Sequence, residues 1–361
     1  MGFLRDRFQE ENGLDILWRR TIVPVIEPVF YEGSARNTSA KRAQQLTSLP
    51  MPVPVSDDLQ FAKACQRAAM EVFPQAGEMF EGFLEGGGWE VDAFFFYFFA
   101  RKQGLLRGCT NFAVLPSATL DGETLAGRNY DWAYSDLPYC ESRVVAVDGA
   151  LKFVSYTHHW IGHPDCLNEA GLFVAISSLP AIETSQPGVQ WNILVDAVAS
   201  TCRTVSEAVA LLSRVKHLRA ITYLIADADD ASAVEAGPKG IKVREPKDGI
   251  VIATNHVVGE SDSSDRSLHS TARYVRADSR LSAKAPGIVE SDITSLLRDP
   301  VCAIRDGKRF LHPLDHVPLA ASENWGTIWS TVCRPARGEI KVAEGHPQDA
   351  HYMPINWSTL D

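Results

Sequence analysis

The sequence predicts an α+β fold in which antiparallel sheets are layered with helices. Three observations predict it: a mostly helical texture over residues 1–108, short β-rich runs grouped into hairpins from Cys109 onward, and two helical blocks inserted between those groups. A parallel sheet would instead spread single strands between crossover helices, so a βαβ architecture is not indicated.

Taken in order, Leu49 to Val55 reads as an extended connector, because each of Pro50, Pro52 and Pro54 disfavours helix in the residue before it. Ser56-Asp57-Asp58 then caps a predicted helix to Phe73, with Leu59, Phe61, Ala62, Cys65, Ala68, Ala69 and Val72 at helical spacing. Gly86-Gly87-Gly88 marks a flexible break. The aromatic run from Ala93 to Ala100 is too short to span a bilayer and reads as a buried helix or strand. Predicted strands follow at Thr110–Leu115 and Thr124–Tyr130, joined by a turn over Pro116 to Glu123, and at Arg143–Val147, Lys152–Tyr156 and Gly171–Ser178. Helices are predicted at Gln190–Ala199 and Thr204–Val215, the second opened by a capping box of Thr204 and Glu207. Strands resume at Ile221–Ala226, Ala233–Ala236, Ile241–Val243 and Ile250–Thr254. Two further helices, Ser267–Leu281 and Ser291–Leu297, precede closing strands at Gly326–Cys333 and Glu339–Val342.

The bulk numbers narrow the function classes. With 361 residues, 45% apolar and 22% charged, the chain suits a soluble globular protein with a sizeable core. A net charge of −10 with no concentrated basic stripe argues against nucleic acid or an anionic membrane as partner. Seven cysteines, odd in number and not closely paired, argue against a disulfide framework. Arg5, Asp6, Arg7, Gln9 and Glu10 stand where a secretory peptide needs its apolar region, so a cytoplasmic location is expected.

The chemistry centres on Gly108-Cys109-Thr110-Asn111-Phe112 and Gly127-Arg128-Asn129-Tyr130-Asp131-Trp132. One hairpin would bring the Cys109 thiol, the Arg128 guanidinium and the Asp131 carboxylate into one small volume. Gly108 tolerates the backbone angles needed for the thiol to attack the preceding carbonyl. A cysteine at a chain start carries its own base, since a free α-amino group has a pKa of roughly 7.7–8.0. Asp131 would then accept hydrogen bonds from that amine, and Arg128 would favour thiolate and bind substrate. Asn255 ends the apolar run Ile250 to Ala253 and can donate to a developing oxyanion, while Arg273 supplies a second cation.

These motifs, together with Asn168-Glu169-Ala170-Gly171-Leu172, Ala253-Thr254-Asn255-His256 and Ala272-Arg273-Tyr274-Val275-Arg276, occur in order over Cys109 to about Pro347. In that order the chain resembles the N-terminal nucleophile hydrolases of the choloylglycine hydrolase and penicillin-acyltransferase group. The resemblance implies a four-layer αββα sandwich over 109–361 and a helical pro-segment over 1–108. It also implies self-cleavage between Gly108 and Cys109 into two chains that stay associated. Cys109 would be nucleophile and base, Asp131 would orient its amine, Asn255 would build the oxyanion hole, and Arg128 and Arg273 would complete the site. Ser178 stands where bile salt hydrolases carry a second asparagine, and Trp325 about where the penicillin acyltransferase carries an arginine. Neither bile-salt nor penicillin specificity is therefore expected.

The expected activity is hydrolysis of a linear non-peptide amide, an N-acyl amine or N-acyl amino acid, without a cofactor. Two alternatives stay open: acyl transfer to an amine, with a coenzyme A thioester as one donor, and a scaffold that never matures. Tyr134, Trp160, Ser178 and the Leu179–Ile182 segment are the candidate substrate-pocket residues. His158, His159, His163, Asp165 and Cys166 are zinc-ligand types, but their spacing matches no familiar site and no metal is expected. Asp227, Asp229 and Asp230 read as a solvated hairpin turn, and Cys65, Cys202, Cys302 and Cys333 as small buried hydrophobes. His269, His312 and His316 are read as surface or loop residues without a role. A homo-oligomer is compatible with the sequence.

Overall fold

A computed structural model describes residues 25–45, 59–88, 108–158, 161–180, 186–259, 268–305 and 325–357. The alternating apolar runs after Cys109 pair into two sheets. One has the order β1 (Val29–Gly33), β4 (Glu141–Val147), β5 (Phe153–Thr157), β6 (Asp165–Asn168), β7 (Phe173–Ser178), β8 (Ile221–Ala226), β9 (Ala231–Gly237) and β10 (Gly240–Arg244). The other has the order β11 (Ile250–Ala253), β2 (Thr110–Val114), β3 (Leu125–Ala133), β12 (Trp325–Arg334), β13 (Glu339–Glu344) and β14 (Met353–Pro354). Every pairing is antiparallel except β1 with β4.

Three apolar layers follow from the two-residue side-chain period of the strands. Val144, Val154, Leu167 and Phe173 of the first sheet meet Ala113, Ala126, Tyr130 and Trp329 of the second. On the outer face of the first sheet, Phe153, Val174 and Ile176 pack against α2 (Leu59–Val72), α3 (Gln75–Gly87), α4 (Trp191–Thr201) and α5 (Val205–Ser213). On the outer face of the second, Phe112, Val114 and Ile252 pack against α6 (Leu268–Ser282) and α7 (Glu290–Leu297). Helix, sheet, sheet, helix: the α+β four-layer αββα sandwich is observed.

Several local expectations change. The segment before Cys109 contributes a strand, β1, as well as α1 (Ala35–Gln45), α2 and α3. Gly86 and Gly87 do not break the chain but continue α3, and Gly88 ends it in the left-handed region at φ 63°. The physical reason is close packing: a Cβ at Gly82 or Gly86 would overlap the α1 backbone at Arg36 and Ala40. Asp165–Asn168, for which no strand is predicted, is strand β6 within the eight-stranded sheet. Thr204 Oγ1 accepts from Glu207 N at 3.3 Å, but Glu207 reaches back to Arg203 N at 2.7 Å, so the capping box is displaced by one residue. The connector 49–55, the aromatic run 93–100, His312 and His316 lie outside the described residues. No helix among the described residues is long and apolar enough to cross a membrane.

Candidate active site

Cys109 sits one residue before β2, and the β2–β3 register places Asn111 opposite Arg128 and Thr110 opposite Asn129. The hairpin read from the sequence therefore exists, and it carries the cysteine to the start of the strand beside Asp131. Cys109 is 4% exposed, and burial pushes its thiol up, with Asp131 adding to the shift. Arg128, a hydrogen bond from the Asp131 backbone and Arg273 pull the other way.

Gly108 lies against the Asp131 side chain so closely that an added Cβ would meet Asp131 Cβ and Oδ2 at 2.5 Å. Only a residue without a side chain fits there. Asp131 is wholly buried; burial raises its carboxyl to about 7 against the pull of Arg273, Thr327 and Arg128. Its two oxygens differ. Oδ1 accepts a 2.6 Å hydrogen bond from Thr327 Oγ1, while Oδ2 has no partner among the described residues.

Arg273, in α6 and fully buried, closes the opposite side. Its Nη1 donates to the Cys109 carbonyl and, at 3.0 Å, to Thr110 Oγ1, and its Nη2 donates to Asn255 Oδ1 at 2.7 Å. His269, read as a surface or loop residue, accepts instead from Arg273 Nε at 3.4 Å; burial and that arginine push its imidazole down to about 3, so it is neutral. Asn255 follows β11. Its backbone N–H donates to Ser270 Oγ at 2.7 Å, and its amide Nδ2 lies 2.9 Å from Ser178 O and 3.2 Å from Ser178 Oγ. Cys109, Asp131, Arg273, Asn255 and Ser178 thus form one connected set.

Arg128 has a different setting from the one expected. Its Nη1 donates to Pro164 O at 3.0 Å and Ile176 O at 3.1 Å, and its Nε lies 3.0 Å from Asp165 Oδ2 with both side chains fully buried. The Nε contact has ion-pair distance without hydrogen-bond alignment, and Nη2 has no partner among the described residues. Arg128 therefore joins the second sheet to β6 and β7 of the first, acting on the thiol through its field. Tyr134 opens a 3₁₀ turn, Tyr134–Tyr139, after β3, and its hydroxyl crowds Gly326. Trp160 and residues 181–182 lie outside the described residues.

Sequence reasoning missed Thr327, Ser270 and the role of Asp165 as the counter-charge of Arg128. Thr327 had no local signal, because only the β3–β12 register sets it opposite Asp131. Of the suspected metal residues, His163 and Cys166 come together with Asp196, their ligand atoms within 4.8 Å of one another. His163 Nδ1 is 2.6 Å from Asp196 Oδ1 and its Nε2 is 3.2 Å from Arg143 Nη1. Both ring nitrogens are engaged and a guanidinium stands beside them, which disfavours a bound cation. Asp227 organises its hairpin turn, accepting from Asp229 N at 3.0 Å and Asp230 N at 2.9 Å.

Residues 118–349 match the family of acyl-coenzyme A:6-aminopenicillanic acid acyl-transferase. That span takes in Arg128, Asp131, Asn255 and Arg273 and begins after Cys109. Among solved structures, the chain is similar to a penicillin V acylase from Agrobacterium tumefaciens, with 16% identity over 70% of this chain and 87% of that one at a TM-score of 0.48. It is also similar to a mutant conjugated bile acid hydrolase from Clostridium perfringens, with 10% identity over 69% of this chain and 97% of that one at 0.45. A third is the N-acylethanolamine-hydrolyzing acid amidase ortholog of Caenorhabditis elegans, with 12% identity over 63% and 93% at 0.45. No curated protein sequence matches. With well over half its length matched, the chain belongs to the acyl-coenzyme A:6-aminopenicillanic acid acyl-transferase family.

Proposed function

We propose that this chain is a self-processing cysteine amidohydrolase that cleaves a linear non-peptide amide, an N-acyl amine or an N-acyl amino acid. The observation that carries this reading is the unpartnered Oδ2 of Asp131, buried against Gly108 at the bond before Cys109. A buried acceptor without a donor is costly. An α-amino group freed at Cys109 is the donor that would satisfy it.

In the processing step, Cys109 Sγ attacks the Gly108 carbonyl carbon and the peptide nitrogen leaves with a proton as the Cys109 amine. Water then cleaves the resulting thioester and leaves Gly108 with a carboxylate. In turnover, the Cys109 amine takes the thiol proton and passes it to the leaving nitrogen of the substrate. The acyl group stays on sulfur until water releases it as a carboxylic acid. Arg273 holds the Cys109 backbone and Asn255 Oδ1, and the Asn255 amide Nδ2, which lies 2.9 Å from Ser178 O, would supply an N–H to the oxyanion. The N-terminal fragment is proposed to remain bound through β1 against β4 and the ion pair of buried Arg42 with partly buried Glu141.

Intact-mass measurement of the purified chain tests the proposal. Two species beginning at Met1 and Cys109 are expected, with a Cys109→Ala variant staying whole and inactive. One uncleaved species in active protein would end the reading, and an uncleaved inactive protein would favour a scaffold. The description of the matched family favours a second reading, acyl transfer, in which an amine replaces water at the thioester. Product analysis over a panel of acyl amides, with and without an added amine, separates the two.

A further inference from the structure

A cavity of about 50 Å³ lies away from Cys109, between the N-terminal helices and the outer face of the eight-stranded sheet. Its walls include Ser39 and Arg42 of α1, Met79 of α3, Arg143 of β4, Phe153 of β5 and Asp196 of α4. The polar groups around it are unevenly matched. Glu141 Oε1 faces Arg42 Nη1 at 3.1 Å, Arg143 Nη2 at 2.9 Å and the Tyr31 hydroxyl at 3.1 Å, and the neutral Gln45 Oε1 accepts from Arg42 Nη1 at 3.2 Å and from Tyr31 at 2.7 Å. Asp196, the carboxylate that lines the cavity itself, is held by His163 at 2.6 Å. Two guanidiniums therefore share one carboxylate oxygen. Arg42 is only 6% exposed, yet its Nε and Nη2 find no acceptor among the described residues.

Those two N–H groups belong to one planar fork, which matches the paired oxygens of an oxyanion. Phe73, Met79, Val145 and Phe153 give the cavity an apolar side, while Thr38, Gln75 and Ser200 add neutral polar groups to the wall. A multiply charged oxyanion would lose its hydration against that apolar side, whereas a carboxylate with an alkyl tail uses both halves. At about 10–15 Å³ per water-sized centre, the volume suits a ligand of only a few heavy atoms.

We infer that this cavity binds a short-chain monocarboxylate, its oxygens on the free N–H groups of Arg42 and its alkyl chain against Phe73, Met79 and Phe153. The site is built jointly by residues before and after Cys109, and it uses no residue of the Cys109 set.

Calorimetric titration of the full chain at low ionic strength tests this, with sodium butyrate, sodium acetate and inorganic phosphate as probes. Saturable one-site binding of butyrate is expected, weaker for acetate and undetectable for phosphate. Arg42→Gln should weaken butyrate binding about tenfold or more, since it removes charged donors from a buried contact. Met79→Trp fills the void without touching the ion pairs and should abolish binding. If circular dichroism shows that Arg42→Gln does not fold, Met79→Trp alone decides. No saturable butyrate binding, tighter binding of phosphate, or unchanged binding in Met79→Trp overturns the assignment.

Discussion

Thr327 Oγ1 donates a 2.6 Å hydrogen bond to Asp131 Oδ1 from the facing position on β12, and the same oxygen accepts from Ile304 N at 2.8 Å. The threonine thereby fixes which carboxylate oxygen is spent and which is left facing Gly108. Thr327→Val should cost about 1–3 kcal/mol of stability by leaving two buried groups unmatched. It should also slow self-cleavage, while Thr327→Ser keeps both. A processing time course by mass spectrometry in the two variants distinguishes them; equal rates would remove Thr327 from the positioning of Asp131.

Gly108 is sterically pinned against Asp131. Gly108→Ala should therefore slow or stop cleavage even though alanine leaves the scissile carbonyl chemically unchanged. Gel analysis of freshly expressed protein is enough to see it. Cleavage at the parent rate would mean that the close approach has no bearing on processing.

The carboxyl of Asp131 is raised from 3.8 to about 7 by burial. The folded chain thus holds this proton more tightly than the unfolded one. Its contribution to stability is full below 3.8 and is lost as pH rises through 7. In the Cys109→Ala background, Asp131→Asn should therefore gain stability relative to its parent as pH rises, by about 1.4 kcal/mol per unit within that window. Chemical denaturation at several pH values reads the slope; a difference that does not vary with pH would contradict it.

Arg273 bridges the Cys109 carbonyl, Thr110 and Asn255 with one fork. A lysine carries the charge but not the planar geometry, so Arg273→Lys should fail to restore activity. Arg273→Met should be destabilised by about 3–5 kcal/mol, because burial is kept and the partners are orphaned. Recovery of parental turnover by lysine would show that charge alone matters.

Much of this site is legible because its chemistry lies in local sequence. Cys109, Arg128 and Asp131 fall on one hairpin whose turn and strands are marked by residue type, and Asn255 ends a plain apolar run. Thr327 is invisible to such reading because it meets Asp131 across 196 residues of chain, through a strand pairing that no local pattern specifies. Asp165 escapes for the same reason: without Arg128 beside it, an aspartate among histidines and a cysteine suggests a metal. Gly86 reads as a flexible point because glycine weakens an isolated helix. In the folded chain it is, with Gly82, what lets α1 come close.

β1 ends one margin of the eight-stranded sheet, and it comes from the part of the chain that precedes Cys109. Stripping that part away would bare the backbone amides and carbonyls of β4 along five positions. An unpaired margin of this kind invites strands from other molecules. Once the chain is cut before Cys109, as proposed above, denaturant strong enough to part the two pieces should thus yield a remainder that clumps on dilution, unless the missing strand is supplied again as a peptide.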